Sequence, residues 1–257
     1  MNQLSASKRR KLLSALKKYR RRFLVKKNNE LDESATRILI NSFLTEVLGY
    51  KSIDEVTTEY MIRGAYADYL VQLKGKAYFV VEVKAMTKEL SQKHLRQVMH
   101  YAADEGIEWA LLTNGRCFEL YKVIFEKPID SRKVFSVDLL DEEQVKNGVE
   151  CFQFITKALI QKKGMDHLWQ RSSALDPSNI SRFLYDKPVV NYLKRQLKKY
   201  FKTKVDEDDL YLAIKKVIEE PMESGKPFRS RKHRRNHRRS EGQELNVDAQ
   251  QAIPTAV

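Results

Sequence analysis

The sequence predicts an α/β fold in which a mixed β-sheet is flanked by helices, followed by a small helical C-terminal unit and a disordered basic tail. Helix-like and strand-like segments alternate through residues 28–163, and only helical patterns follow in residues 165–222. The composition of residues 223–257 is typical of disorder. Hydrophobic residues make up 42% of the 257 residues, which is enough to form a core.

The first domain reads in order as helix, three strands, helix, two strands and helix. Polar residues at Asn28–Asp32 precede the first helix, and a Lys74-Gly75-Lys76 turn joins the second and third strands as a hairpin. In the second unit, helices are expected over 189–200 and 207–219. The bounds expected in the first domain are helix 33–48, strands 56–62, 67–73 and 77–84, helix 90–105, strands 108–113 and 117–123, and helix 141–162.

The net charge of +14 is concentrated at the two ends of the chain. Residues 1–27 contain eleven Lys or Arg and no acid, and residues 226–239 contain eight and no acid, while residues 28–225 are close to neutral. Such runs bind polyanions through phosphate contacts and counterion release, although a solvated tail is the alternative. We therefore expect DNA-binding arms at both ends that can be removed without loss of folding.

Within the basic arm 1–27, residues 5–27 are expected to form an amphipathic helix, because apolar side chains recur there at helical spacing: Leu12, Leu13, Leu16, Tyr19 and Phe23. Such a helix can lie against the protein body, nucleic acid or an anionic membrane, and the pattern does not choose among them. No apolar run reaches the roughly 20 residues of a membrane span. The two separated cysteines fit a reducing compartment, so we expect a cytoplasmic protein.

The most informative segment is the third strand, in which Glu82 and Lys84 interrupt an apolar run. Because side chains alternate along a strand, these two charges should share one face with Tyr78 and Val80. A buried charge without a partner costs several kcal/mol, by order of magnitude. The pair is therefore either a structural ion pair, or a metal-binding carboxylate beside an ammonium that meets an anion.

Asp68 favours the second alternative. It lies on the preceding strand of the same hairpin, so its carboxylate and that of Glu82 are expected to converge. With the backbone carbonyl of Val83 they would form an oxygen-rich site of the kind that Mg²⁺ prefers. Lys84 would then lie where a nucleophilic water or a phosphate oxygen is expected.

The order Asp68, Glu82, Lys84 resembles the signature of the PD-(D/E)XK nuclease superfamily. More closely, the chain is similar to the N-terminal nuclease domain of type I restriction enzyme R subunits. This resemblance implies a restriction-endonuclease-like fold, hydrolysis of DNA phosphodiester bonds, and a role in restriction-modification or DNA processing. It does not cover residues 165–257, and Ala67 stands where the class has proline. The segments that carry it are ESATRILINSFLTEVLGY (33–50), ADYLVQL (67–73), VVEVKA (80–85), QVMHY (97–101) and LLTNGRCFELY (111–121).

Two further positions take their role from the resemblance. Gln97 and Tyr101 match the Q-x-x-x-Y element of the family, in which the glutamine orients the lysine or the water and the tyrosine lies near the DNA. The helical pattern by itself places Gln97 on the surface. Glu33 is either a first-turn acid stabilised by the helix dipole or an acid that reaches the metal site, and Glu59 is a weaker candidate of the same kind. No role is expected for His94, His100 or His167.

The sequence thus predicts a Mg²⁺-dependent deoxyribonuclease, with Mn²⁺ as a substitute. Since no G-x-x-x-x-G-K-[ST] phosphate loop is present, no ATP is expected. Asp68, Glu82 and the Val83 carbonyl would hold the metal, and DNA is the expected partner. A protein partner could dock on residues 165–222. Two other functions stay open: a nucleic-acid-binding protein that keeps the fold without catalysis, and a subunit that cuts only when a partner delivers DNA.

Overall fold

The computed structural model describes residues 3–25, 30–62 and 65–219, and it confirms the predicted α/β domain. Its mixed sheet has six strands, one more than the five expected. The strands are β1 (Val56–Ile62), β2 (Ala65–Leu73), β3 (Lys76–Val83), β4 (Trp109–Thr113), β5 (Cys117–Ile124) and β6 (Asp130–Asp138). They lie in the sheet in sequence order. All neighbours are antiparallel except β3 and β4, which are parallel and are therefore joined by a helical crossover.

Nine α-helices are found within the described residues: α1 (Ala6–Phe23), α2 (Glu33–Ser42), α3 (Gln92–Asp104), α4 (Glu142–Phe152), α5 (Lys157–Ile160), α6 (Gly164–Ala174), α7 (Pro177–Leu184), α8 (Lys187–Phe201) and α9 (Glu207–Glu219). α2 starts where the sequence predicts, because Asp32 caps it by accepting a hydrogen bond from the Ala35 amide at 2.8 Å. It continues into a π-helical turn at Phe43–Val47, and Gly49 follows with a φ of +89°.

The sheet has a main core on one face and a smaller core on the other. The main core joins α1, α2, α4 and α6 to sheet residues such as Tyr69 and Val81. On the opposite face, α3 packs through Leu95, Val98 and Ala102 against the side of the sheet that carries Val80. β3 is therefore covered on both faces, as its almost continuous apolar run predicts.

α1 is part of the main core, so the expectation of a removable N-terminal arm is wrong. Leu12, Leu16 and Tyr19 are buried, and the Tyr19 hydroxyl donates a hydrogen bond to the Gly115 carbonyl at 2.8 Å. Several cations on its polar side are also neutralised by acids of the body: Arg9 pairs with Glu150, Lys18 and Arg22 pair with Glu46, and Arg20 pairs with Glu142.

The bulged register of β3 corrects the predicted face of Tyr78. The pairing with β2 passes from Val71–Phe79 to Gln72–Ala77, so Tyr78 is the extra residue. It packs against the main core and not beside Val80 on the other face. The alternation from Phe79 onward is regular, and the face that carries Glu82 is therefore as predicted.

Two other features differ from the sequence-based expectations. β6 is not predicted, because this edge strand begins with the polar run Asp130–Lys133 and has no continuous apolar stretch. The single helix expected over 141–162 is interrupted after α4 by a 3-10 turn at Gln153–Ile155. There Thr156 is extended, and its hydroxyl donates to the Gln153 carbonyl at 2.7 Å.

Residues 164–219 are helical, in line with the predicted C-terminal unit. α8 begins two residues earlier than expected, since Pro188 is well accommodated in a first helical turn. Val190 of α8 and Leu210 and Ile214 of α9 form a small core. The predicted basic tail, residues 223–257, lies outside the described residues. Among the helices of the described ranges, none is long and apolar enough to cross a bilayer.

We expect Leu16→Ala to lower the free energy of unfolding by about 2–5 kcal/mol, because Leu16 is fully buried between α1 and the body. Lys17→Ala is the matched control, since its side chain is exposed on the same turn and its effect should stay within about 0.5 kcal/mol. Urea denaturation of the full chain measures both. If Leu16→Ala is as neutral as the control, α1 is not part of the cooperative core.

Candidate active site

The candidate site lies where β2 and β3 separate at the carboxyl end of β3. Their antiparallel ladder ends at the Tyr69–Val81 pair. Beyond that pair, Asp68 Oδ2 accepts a hydrogen bond from the Val83 amide at 2.7 Å, so a side chain replaces the backbone partner. The N–H and C=O of a strand residue point to the same neighbouring strand, and the Val83 carbonyl therefore also faces this opening.

Lys84 and Glu82 form a buried ion pair at the opening. Lys84 Nζ lies 2.6 Å from Glu82 Oε1 and 3.6 Å from Glu33 Oε2. Glu82 is 2% exposed, and Asp68 and Lys84 are each 9% exposed. The Lys84 amide donates to the Thr113 carbonyl at 2.8 Å, which fixes the residue against β4. The structure therefore brings together four residues that the sequence selects.

Arg37 of α2 contacts three carboxylates around the same opening. Its Nε lies 3.1 Å from Asp68 Oδ1, its Nη1 lies 3.2 Å from Glu59 Oε1, and its Nη2 lies 4.0 Å from Glu33 Oε1. The Nε contact does not have hydrogen-bond geometry, so it is electrostatic. Glu59 has a φ of +48°, an uncommon conformation for a non-glycine strand residue. Both Asp68 oxygens thus have partners.

The buried part of the site contains two acids, Asp68 and Glu82, and one base, Lys84. Burial raises the pKa of Glu82 to about 7, although the hydrogen bond from Lys84 opposes this shift. Burial also raises the pKa of Asp68, and this outweighs the Val83 amide and Arg37. For Lys84, burial acts to lower the pKa, but Glu82 and Glu33 hold it above its ordinary value. A further cation would therefore be stabilised here.

The oxygen atoms at the opening suit a hard divalent cation. Glu82 Oε2 is buried and has no hydrogen-bond partner, and Asp68 lies on the adjacent strand. Carboxylate and carbonyl oxygens are the ligands that Mg²⁺ prefers. In the described part of the chain, no three His, Cys, Asp or Glu side chains are already arranged as a metal site. Lys84 contacts Glu82 Oε1 and Arg37 contacts Asp68 Oδ1, so two of the candidate ligand oxygens already lie beside a cationic side chain.

Gln97 and Tyr101 contact each other on α3. The Gln97 side-chain amide donates to the Tyr101 hydroxyl at 3.0 Å. Tyr101 is buried against Ala67, the residue before Asp68, whereas Gln97 is exposed, as its helical position predicts. Tyr101 therefore packs beside the strand that carries Asp68, and Gln97 reaches it from the surface.

Two residues near the carboxylates were not selected from the sequence. The sequence contains a local pattern that points to Arg37, because this residue lies one helical turn after Glu33 and can form an ion pair with it. His94 had no local signal, since the docking of α3 brings it near Lys84. Its Nδ1 is buried without a hydrogen-bond partner, and its pKa is lowered by burial first and then by Lys84 and Lys93.

The comparison with protein families confirms the resemblance over the part of the chain that carries the site. Residues 32–129 match the family described as type I restriction enzyme R protein N terminus. The matched segment runs from the start of α2 to the residue before β6, and it contains all the candidate site residues. This similarity indicates a restriction-type, nuclease-like domain. No curated protein and no solved structure matches the chain.

We expect the wild-type protein in EDTA to lose stability as the pH rises from about 4.5 to about 7. In this range a larger fraction of Glu82 is protonated in the folded state than in the unfolded state, so folding binds a proton. The contribution is at most about 3 kcal/mol. Glu82→Gln should flatten this slope, whereas Glu89→Gln, at an exposed position, should not. Chemical denaturation across the pH range measures the slopes, and equal slopes in all three proteins would contradict the assignment.

Proposed function

We propose that this protein is a metal-dependent deoxyribonuclease that hydrolyses DNA phosphodiester bonds at the opening between β2 and β3. The observation that carries this proposal is the pair of buried carboxyl groups of Asp68 and Glu82 beside Lys84, with Glu82 Oε2 left unpaired. The similarity of residues 32–129 to type I restriction enzyme R protein N termini supports the reaction and a setting in restriction.

Asp68, Glu82 and the Val83 carbonyl are the proposed ligands of Mg²⁺, for which Mn²⁺ would substitute. A bound ion of this kind would polarise the scissile phosphate and lower the pKa of a water ligand. The guanidinium of Arg37 lies 3.1 Å from Asp68 Oδ1 and would compete electrostatically with a metal ion bound to that oxygen. Displaced from Asp68, Arg37 would still have Glu59, whose carboxylate is 3.2 Å from its Nη1, as a counter-charge.

Lys84 is proposed to act as a fixed positive charge. Because its pKa is raised, its ammonium stays protonated near neutral pH and is unsuited to accept a proton from water. It would instead hold the attacking water and offset the charge that develops on the phosphoryl oxygens. Gln97 and Tyr101 are proposed to orient this water and to contact the DNA from α3.

One observation favours a subunit that cuts only after a partner or DNA has docked. The contact of Arg37 with Asp68 occupies a proposed metal ligand. A phosphate or a partner carboxylate that attracts Arg37 would release Asp68, and metal binding would then depend on docking. On this alternative, the isolated chain binds metal weakly until DNA is added.

We expect titration calorimetry with Mn²⁺ in the presence of DNA to show binding to the wild type and much weaker binding to Asp68→Asn. The substitution keeps the size of the side chain but removes its negative charge. Asp54→Asn, which removes the same charge from an exposed residue outside the opening, is the control and should bind as the wild type does. Equal binding by all three proteins would exclude Asp68 as a ligand.

We expect Lys84→Ala to cut supercoiled plasmid at least about 100-fold more slowly, which is the cost of one lost electrostatic contact in the transition state. Lys76→Ala changes an exposed lysine at the opposite end of β3 and should cut normally. If Lys84 only forms a structural ion pair with Glu82, Lys84→Ala would instead lower the free energy of unfolding by about 3–5 kcal/mol.

The double variant Glu82→Gln, Lys84→Met separates stability from catalysis, because it replaces the ion pair with two uncharged side chains of similar size. If this variant is stable and still cuts at the wild-type rate, both residues are structural and the opening between β2 and β3 is not the catalytic site. If the wild type fails to cut any form of DNA with every metal ion tested, the fold serves nucleic-acid binding without catalysis.

A further inference from the structure

One face of α8 is positively charged, carries an exposed tyrosine and has no acid. Packing fixes this face, because Val190, Leu193 and Leu197 turn towards α9 and join the small core with Leu210. At 3.6 residues per turn, the side opposite that core carries the uncharged Asn191 and four exposed aromatic or basic residues. These four residues, the α8 stripe, are Tyr192, Arg195, Lys198 and Lys199.

The positive charge of the α8 stripe is not neutralised within the described residues. Lys187 and Lys194, on the flank of the helix, pair with Glu207 at 2.6 and 4.0 Å. None of the three stripe cations has an ion-pair partner in the described part of the chain. The sequence also contains no acid from Lys187 to Val205. The stripe therefore has a local positive potential that attracts a polyanion.

The tyrosine distinguishes the α8 stripe from other basic surfaces of the protein. Tyr192 is 54% exposed and lies three residues before Arg195 and seven before Lys199, so ring, guanidinium and ammonium follow one another along the helix. α1 also has exposed cations, but none of the large exposed apolar or aromatic side chains of the described residues lies on it. An exposed aromatic ring among cations is suited to stack an unpaired base while the cations hold the backbone.

We propose that the α8 stripe binds single-stranded nucleic acid, with phosphates on Arg195, Lys198 and Lys199 and a base stacked on Tyr192. This inference deepens the proposed function, since it gives the nuclease a substrate-holding surface outside the opening between β2 and β3. The segment 226–239 of this chain does not complement the stripe, because both are basic. A single strand supplies both the negative charge and the accessible base faces that the stripe can use.

The test measures binding of the full chain to a fluorescent oligothymidylate and to a blunt duplex, in EDTA so that cleavage plays no part. Arg195→Glu, Lys199→Glu should weaken oligothymidylate binding at least about tenfold, and the slope of log K against log salt should fall by about 1.4, the value for two phosphate contacts. The control is the double variant Lys215→Glu, Lys216→Glu, which makes the same change of charge on α9. Its affinity for oligothymidylate should stay within about twofold of the wild type.

The stacking role is tested at Tyr192. Tyr192→Ala should weaken oligothymidylate binding about tenfold and leave duplex binding nearly unchanged, while Tyr192→Phe keeps the affinity.

Circular dichroism melts of each variant show whether the fold is retained. Equal losses in the two charge-reversal variants would overturn the proposal, because net charge alone would then explain them. A loss of duplex binding equal to that of the single strand in Tyr192→Ala would overturn the base-stacking role. A change of oligomeric state in Arg195→Glu, Lys199→Glu, or tighter binding to phosphatidylglycerol vesicles than to oligothymidylate, would assign the stripe to self-association or to a membrane. Because these measurements need no catalysis, a failed nuclease assay leaves their interpretation unchanged.

Discussion

The replacement of a backbone hydrogen bond by the Asp68 carboxylate is the interaction on which the rest of the site depends. Asp68 accepts the Val83 amide at 2.7 Å just beyond the last paired residues of β2 and β3. This contact satisfies a donor that the ladder leaves without a strand partner, and the Val83 carbonyl faces the same opening. A carboxylate placed here is therefore both a structural cap on the ladder and a candidate metal ligand.

The cost of burying these acids explains why cations surround them. Glu82 is almost completely buried, and burial raises its pKa to about 7, so an ionised Glu82 is destabilising unless charge compensates it. Lys84 compensates part of this charge from the end of the same strand, and Arg37 does so for Asp68 from α2. Because Glu33 adds a third acid near Lys84, the compensation is incomplete. An incompletely neutralised acidic site surrounded by a rigid sheet is well suited to bind a divalent cation.

The parts of the fold that could be predicted from sequence are those with strong local patterns. The hairpin of β2 and β3 was predicted because two apolar runs flank a glycine turn, and the convergence of Asp68 and Glu82 follows from that pairing. β6 was missed because an edge strand with one solvent-facing side has little apolar signal, and the place of α1 was left open because an amphipathic helix fits several surfaces. The i, i+4 spacing to Glu33 points to Arg37, but the contact of Arg37 with Asp68 and the position of His94 depend on how α2 and α3 dock, which no local pattern encodes.

In the proposed nuclease, the site of cleavage and the surface that attracts DNA would lie in different parts of the protein. The cations of the site are occupied by buried acids, and several of those on α1 pair with the body, so neither set is fully free to bind a phosphate backbone. A polyanion attracted to this protein would meet unpaired cations elsewhere, such as those on α8. Since Arg37 holds Asp68 by charge alone, without hydrogen-bond geometry, a nearby phosphate competes with that contact on electrostatic terms. Arrival of substrate and release of the metal ligand would then be linked through the same guanidinium.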